Sequence, residues 1–281
     1  MLKKKILITR LKIGIAKILY IIVKILLLGK TASIKAKRNN ITYELDLSEG
    51  IDLSVYLFGS FQKHVFNSKL LSIPIDATVF DVGANFGVMS LQFASIAKEG
   101  HIFSFEPTHY AFSKLKTNLN LNPILKEKIT PISTFVSSNV SNKSELKAYS
   151  SWRIDGTKEK KHPVHLGTAK DAQNVGVITL DAFCDNNNIE KVDFIKIDTD
   201  GNELEVLKGS EMIINKHNPQ IIFELGNYVM EERGISFSDY FNFFERLDYK
   251  LYDSKKGVLI NFDNHQKFIP NYGTIDIIAV K

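Results

Sequence analysis

The segment Thr78-Val79-Phe80-Asp81-Val82-Gly83-Ala84-Asn85-Phe86-Gly87 reads as a short buried strand that stops at a glycine. Its β-branched and aromatic residues suit a strand covered on both faces. Gly83 permits a tight turn, and Gly87 lets a helix start close against it. Outward from this corner, strands and helices alternate. Val88–Lys98 is predicted as a helix, His101–Glu106 as a second strand, Tyr110–Leu121 as a helix and Ile129–Val136 as a third strand. After a polar stretch come the helix Thr179–Asn186, the strand Val192–Asp198, the helix Glu203–Asn215 and the strand Gln220–Leu225. The helix Ser236–Leu247 and the strands Tyr249–Tyr252 and Ile275–Val280 close the chain. Such alternation predicts an α/β fold, a doubly wound, Rossmann-like parallel sheet. No internal repeat is present.

Three regions are expected: residues 1–30, a lead-in at 31–76, and a main domain at 77–281 whose polar insertion spans about 137–176. In the lead-in, Asn39-Asn40 is expected to turn between two short strands, and Tyr56–Lys69 to be helical. In the insertion, Leu146–Tyr149 and Val175–Ile178 are candidate edge strands. The stripe Phe237, Tyr240, Phe241 and Phe244 has helical spacing and reads as core.

The composition is that of a globular protein, with 44% hydrophobic and 24% charged residues. The single cysteine, Cys184, excludes an intramolecular disulfide framework and a multi-cysteine zinc module. The net charge of +5 is unevenly spread: residues 1–43 carry eleven Lys or Arg and no acid, leaving −6 on the remainder. A uniformly basic nucleic-acid surface is therefore excluded, and no nucleic-acid motif is found. Lys3, Arg10, Lys17 and Lys24 recur every seven residues. On a helix they drift by only about 20° per heptad and form one basic stripe on an otherwise apolar cylinder. That pattern fits a basic amphipathic helix lying on an anionic membrane surface, with its lysines snorkelling to headgroups. The competing reading docks the helix on the chain's own core or a second subunit. Lys12, Lys17 and Lys24 interrupt any transmembrane run. A cytoplasmic, peripherally membrane-associated protein is expected.

In an open α/β sheet, ligands bind at the carboxyl ends of the strands near the switch point. The spacing Asp81-x-Gly83-x-x-x-Gly87 differs from the Gly-x-Gly-x-x-Gly that brings a pyrophosphate to a helix N-terminus. It favours a cofactor with a cationic centre, which Asp81 also suits. Glu106, at the end of the second strand, is placed to accept both hydroxyls of a ribose.

Asp81–Gly87, Phe105-Glu106-Pro107 and Lys196-Ile197-Asp198-Thr199-Asp200-Gly201-Asn202-Glu203 resemble the signature of the FkbM family of S-adenosylmethionine-dependent methyltransferases. Leu204–Gly209 and Ile221-Ile222-Phe223-Glu224 extend the match. The resemblance runs from about Gly59 to the C-terminus. It implies a class I methyltransferase sheet with an antiparallel last strand, S-adenosylmethionine as cofactor, and O-methylation of a sugar or another hydroxylated product. Carried over residue by residue, Asp81, Gly83, Ala84, Asn85, Phe86 and Gly87 line the methionine and sulfonium end. Glu106, followed by Pro107, holds the ribose, and Ser137 and Ser138 fall at the adenine. Three positions depart from the family's usual residues: Gln62 and Asp200 stand where Glu is common, and Ser138 where an acid is common.

A sugar hydroxyl is a poor nucleophile while protonated, so a base or a metal ion is useful. Asp198, Asp200 and Glu224 are the candidates, either as a base or as ligands of a divalent cation. The structural alternative is that Asp198 and Asp200 cap the helix beginning near Asn202. In the insertion, His162 and His165 read as a solvated loop. Arg153, Lys158, Lys160 and Lys161 could meet an anionic acceptor, and Tyr149 and Trp152 could stack on a sugar ring. His109 reads as a helix N-terminal residue. The expected acceptor is a sugar, glycan or glycolipid. Two other readings compete. One takes Asp198-Thr199-Asp200 as the metal motif of a nucleotide-sugar glycosyltransferase. The other is a non-enzymatic membrane-bound module with a vestigial fold.

Overall fold

A computed structural model describes residues 2–139, 149–150, 153–155, 168–169, 172, 175–271 and 273–281, with 2–13, 149–150 and 168–169 as backbone alone. Trp152, Lys158, Lys160, Lys161, His162, His165 and most of the insertion lie outside the described residues. The chain divides into two compact units. One comprises residues 1–61 and 149–169, the other 62–148 and 170–281.

In the smaller unit, the helix Leu2–Leu26 is followed by a hairpin, Ile34–Arg38 with Ile41–Leu45. Asn39 and Asn40 make the turn with φ of +50° and +64°, a region asparagine tolerates. Ile41, Tyr43 and Leu45 alternate inward and bury beside Leu53 and Val55 of the helix Gly50–Phe58. On the N-terminal helix, Tyr20 and Val23 are buried, whereas Ile15, Ile18, Ile21, Ile22 and Ile25 are exposed. Among the described residues no helix is long and apolar enough to cross a membrane. Arg153 bonds to Ser48 and Asp155 and pairs with Asp46, so its charge is already matched by this unit's own acids.

The larger unit is built on an eight-stranded sheet, numbered here in chain order: β1 Thr78–Val82, β2 His101–Phe105, β3 Ile129–Ile132, β4 Phe194–Ile197, β5 Gln220–Leu225, β6 Lys250–Asp253, β7 Leu259–Ile260 and β8 Ile275–Val280. The spatial order is β7-β6-β8-β5-β4-β1-β2-β3. Strands β1 to β5 are mutually parallel, whereas β8 runs antiparallel between β5 and β6. The expected α/β doubly wound sheet with an antiparallel last strand is therefore present. Its core is aromatic. Phe80 packs edge-on against Phe103, Phe105 and Phe183, and Phe223 stacks on Tyr240 and Phe244 of the helix Phe237–Glu245. Each such buried ring contributes roughly 1.5–3 kcal/mol through burial. Phe237, Tyr240 and Phe244 are core as expected, with Phe241 packed at the edge.

Three expected elements are broken in two. Tyr56–Lys69 is not one helix: Gly59 terminates the first in a left-handed cap at φ +78°, and a second helix, Lys63–Asn67, starts after Gln62. The third strand ends at Ile132, after which Thr134–Val136 pairs with Gly176–Ile178 outside the main sheet. The helix expected over Glu203–Asn215 divides into Glu203–Lys208 and Glu211–His217. The break is at Gly209, where a Cβ would stand 2.4 Å from the Ser137 carbonyl oxygen; only glycine allows that approach.

Candidate active site

The switch point lies between β1 and β4, where the chain order of neighbouring strands reverses. The turn after β1 is held from three sides. The Gly83 and Ala84 N–H groups both donate to the Phe105 carbonyl, at 2.9 and 3.0 Å. The Gly83 carbonyl accepts from Lys196 Nζ at 2.9 Å. Gly83 has φ +78°, and a Cβ there would lie 1.8 Å from the Asp198 carbonyl oxygen. Gly87, at φ +86°, starts the helix Val88–Ile96, where a Cβ would lie 2.5 Å from Leu115 Cδ1. The Phe86 carbonyl accepts from Asn118 Nδ2 at 2.9 Å. Ala84, Phe86 and Gly87 are buried, so Gly83 and Asn85 form the open lip of the turn.

Asp81 does not reach that lip. It lies in register with Ser104 on one side and Lys196 on the other. Its carboxylate is fully buried, accepts from Ser90 Oγ at 2.6 Å, and sits 3.2 Å from Lys196 Nζ. Ser104 Oγ donates to Ser90 Oγ at 2.9 Å and completes the cluster. Asp81 thus braces the turn from beneath through Lys196. Burial acts to lower the Lys196 pKa, but Asp81 and Asp198 outweigh it and hold the ammonium above the usual lysine value. The signal for the role of Lys196 was a lysine inside an otherwise apolar buried strand, which requires a partner.

Glu106, just past β2, is nearly sealed. Its Oε2 accepts from the Asn85 N–H at 3.0 Å, and its Oε1 accepts from the Thr108 N–H and hydroxyl at 2.8 and 2.6 Å. Burial pushes its carboxyl upward, and the Thr108 and Asn85 bonds pull it back. Thr108 also caps the helix His109–Asn120, so His109 opens that helix as expected. Pro107 lies between, half-buried. Ser137 is buried, and its N–H bonds the Ile178 carbonyl at 3.0 Å. Ser138 donates its hydroxyl to Glu205.

Asp198 and Glu224 occupy the rim at the ends of β4 and β5. Asp198 lies 3.8 Å from Lys196 Nζ and accepts from Gln62 Nε2 at 3.4 Å. Burial pushes its carboxyl up; Lys196 opposes, while Asp276 and Asp81 add to the rise. Glu224 is pushed well above the usual range by burial, then by Asp198, with Asp276 and Asp200 contributing. Thr274 donates its hydroxyl to Glu224. The N-cap residue Asn202 makes no side-chain capping bond. Instead Glu203 folds back, and its Oε1 accepts from the Thr199 N–H and hydroxyl and from the Gly201 N–H. Asp200 sits in that loop at φ +53°. Among the described residues no group of three or more His, Cys, Asp or Glu is arranged to hold a metal ion. The divalent-cation reading of Asp198, Asp200 and Glu224 therefore gains no support. A second pair was not foreseen: His64 Nε2 bonds Asp276 Oδ2, and Asp276 is in register with Glu224. The two residues are 212 positions apart, and no local pattern links them.

The model of the methyltransferase FkbM domain matches residues 81–251, more than half of the chain. The chain belongs to the FkbM methyltransferase family. The hexuronic acid methyltransferase AglP of Haloferax volcanii is 23% identical over 147 residues, 52% of this chain and 55% of that protein. The chain thus spans about half the length of the curated relative it matches. Among solved structures, an FkbM methyltransferase from Methylobacillus flagellatus KT is 18% identical, with a TM-score of 0.45 over 76% of this chain and 46% of the other. M. jannaschii TYW2 in complex with AdoMet is 13% identical, with a TM-score of 0.44 over 89% and 85%. The FkbM span contains the glycine turn, Glu106, Lys196, Asp198 and Glu224, whereas Gln62, His64 and Asp276 lie outside it. Gln62 is one of the departures from the residues that the resemblance implies. Its amide donates to Asp198, which an ionised Glu could not do.

Proposed function

We propose that this chain is an S-adenosylmethionine-dependent O-methyltransferase acting on a hydroxyl of a sugar, glycan or glycolipid at a membrane surface on the cytoplasmic side. The observation that carries the reading is the braced glycine turn at the β1–β4 switch point of an FkbM chain, with Glu106 bonded to its Asn85. The turn fits the cofactor by shape and by chemistry: only glycine is tolerated at Gly83, and Glu106 Oε2 keeps acceptor capacity beyond its one bond from Asn85. Gly83 and Asn85 would hold the methionine portion, Glu106 the ribose, and Ser137, Ser138 and Glu205 the adenine edge. When bound, the cofactor supplies a methyl group on a sulfonium, already activated for transfer. The protein's share is to position the acceptor and take up its proton. Support for a sugar acceptor comes from the relative AglP, a hexuronic acid methyltransferase. The membrane reading rests on the uncompensated basic segment and the exposed isoleucines of the N-terminal helix.

Calorimetry with S-adenosylmethionine, against UDP-glucose and NAD as controls, tests the cofactor. Glu106→Gln removes a charged acceptor worth about 1.5–3 kcal/mol, so affinity falls about ten- to hundredfold. Equal binding of UDP-glucose, or unchanged affinity in Glu106→Gln, sinks the assignment. For the membrane, sedimentation with phosphatidylglycerol vesicles should retain the full chain and release a chain lacking residues 1–30. Equal retention of both removes that part of the proposal.

A further inference from the structure

We propose that His64 is the general base that takes the acceptor's hydroxyl proton, held in place by Asp276 as a positioning residue; this rests on the methyl-transfer reading above. His64 lies on the short helix Lys63–Asn67, which starts directly after Gln62. Gln62 takes a left-handed conformation at φ +49° and bonds Asp198, whose carbonyl touches Gly83. The histidine is thereby tied to the rim where the cofactor turn meets β4. Its Nε2 is fixed on Asp276 Oδ2, and its side chain is 23% exposed.

With Nε2–H donated to Asp276, the imidazole carries its lone pair on Nδ1. Among the described residues Nδ1 has no partner, and the ring is accessible. An imidazole accepts a proton near neutral pH, and a carboxylate bonded to its far nitrogen both orients it and stabilises the cation that forms. The rim carboxylates are less suited. Asp198 is engaged by Lys196 and Gln62, and Glu224 is bonded by Thr274 and favoured in its protonated form. The charged group bonded to His64 is Asp276 on β8, which in turn acts on Glu224 on β5 and Asp198 at the end of β4, while Lys63 precedes it on its own helix.

The step balances without further reagents. The acceptor oxygen forms a bond to the methyl carbon as the carbon–sulfur bond breaks, and the electron pair stays on sulfur to give a thioether. The hydroxyl proton passes to His64 Nδ1 and then to solvent.

Two readouts on the full chain test this. First, imidazole nitrogens are recorded by NMR with S-adenosylmethionine and then S-adenosylhomocysteine bound, His64→Gln assigning the signal. If His64 faces the methyl group, its ring-nitrogen signals should differ between the sulfonium-bound and thioether-bound forms. Asp276→Asn should lose the preference for the Nε2–H tautomer. Second, transfer of labelled methyl to the glycan fraction of cells lacking the gene should fall about a hundredfold or more in His64→Gln. S-adenosylmethionine affinity should stay within about twofold, and the rising limb of the pH–rate profile should disappear. If the cofactor does not bind, or the wild type labels no glycan, the methyl-transfer reading fails and takes this one with it. If both occur while the His64 signals are the same with either cofactor bound, or His64→Gln keeps its rate and pH profile, only the base assignment is overturned.

Discussion

Gly83→Ala is the sharpest test of how the glycine turn is built. The new Cβ would lie 1.8 Å from the Asp198 carbonyl oxygen, against 3.4 Å for an ordinary contact, so turn and strand must separate by about 1.6 Å. Four bonds resist: Gly83 and Ala84 to Phe105, Lys196 to Gly83, and the Asp198 N–H to the Val82 carbonyl. Losing the lysine bond alone costs about 1.5–3 kcal/mol, as a charged donor. The left-handed φ of +78° adds about 1–2 kcal/mol for an L side chain. Together these give a destabilisation of about 3–5 kcal/mol, with cofactor binding lost. Gly234→Ala is the control. It has φ +65° but nothing within 4 Å of its Cβ, so it should cost only the conformational part. Urea unfolding of both variants by far-UV circular dichroism makes the comparison. If Gly83→Ala is no more destabilised than Gly234→Ala, or still binds S-adenosylmethionine at wild-type affinity, the contact between turn and β4 does not exist as described.

Lys196→Met leaves the Asp81 carboxylate buried without its cation and should cost about 3–5 kcal/mol. Adding Asp81→Asn should recover part of that, and additive urea-unfolding energies in the double-mutant cycle would refute the pairing. Glu224→Gln addresses pH. A carboxyl whose folded pKa lies above its unfolded value stabilises least once ionised, so the wild type should lose stability relative to the variant as pH rises above about 4.3. Urea midpoints at pH 4.5, 6 and 8 check the sign, and a wild type that gains on the variant toward pH 8 contradicts it. Because Glu224 and Asp198 interact, the step belongs to the pair.

The sheet was legible because four of its five parallel strands are short, mostly apolar runs followed by glycine or an acid, and because helix-length segments separate them; β3, followed by Ser133, is the one whose end was misplaced. The breaks at Gly59 and Gly209 were less so. Each glycine could have been read as tolerated within a helix; what decides is a left-handed cap in one case and a neighbouring Ser137 backbone in the other. The helix Asn227–Arg233 was not legible because it carries no periodic apolar pattern, whereas β7, paired antiparallel with β6, falls in the stretch between Tyr252 and Ile275 that reads as a hairpin-like excursion. At the site, glycine spacing and Glu106 could be read locally. The bonds of Lys196 to Gly83 and of His64 to Asp276 join residues 113 and 212 positions apart. They depend on the order of strands in space, which no single stretch of sequence states.

Asp81 and Glu106 show why an acid at the end of a strand is an incomplete description. Asp81 is the penultimate residue of β1, so its side chain stands on the sheet face between two in-register neighbours, Ser104 and Lys196. A carboxylate there must find a cation or remain protonated. Lys196 meets that need and in doing so fixes the Gly83 carbonyl. Glu106 comes one residue after β2 has ended, where the chain has left the sheet and backbone N–H groups of the adjoining loops point at it. It needs no cation, and its bond to Asn85 ties the β2 loop to the lip of the glycine turn. A shift of one or two residues along a strand thus separates the acid that braces the turn from beneath from the acid that is bonded to the turn's lip. The same rule applies to β4: Lys196 lies within the strand and is sealed, while Asp198 lies one past its end and reaches the rim.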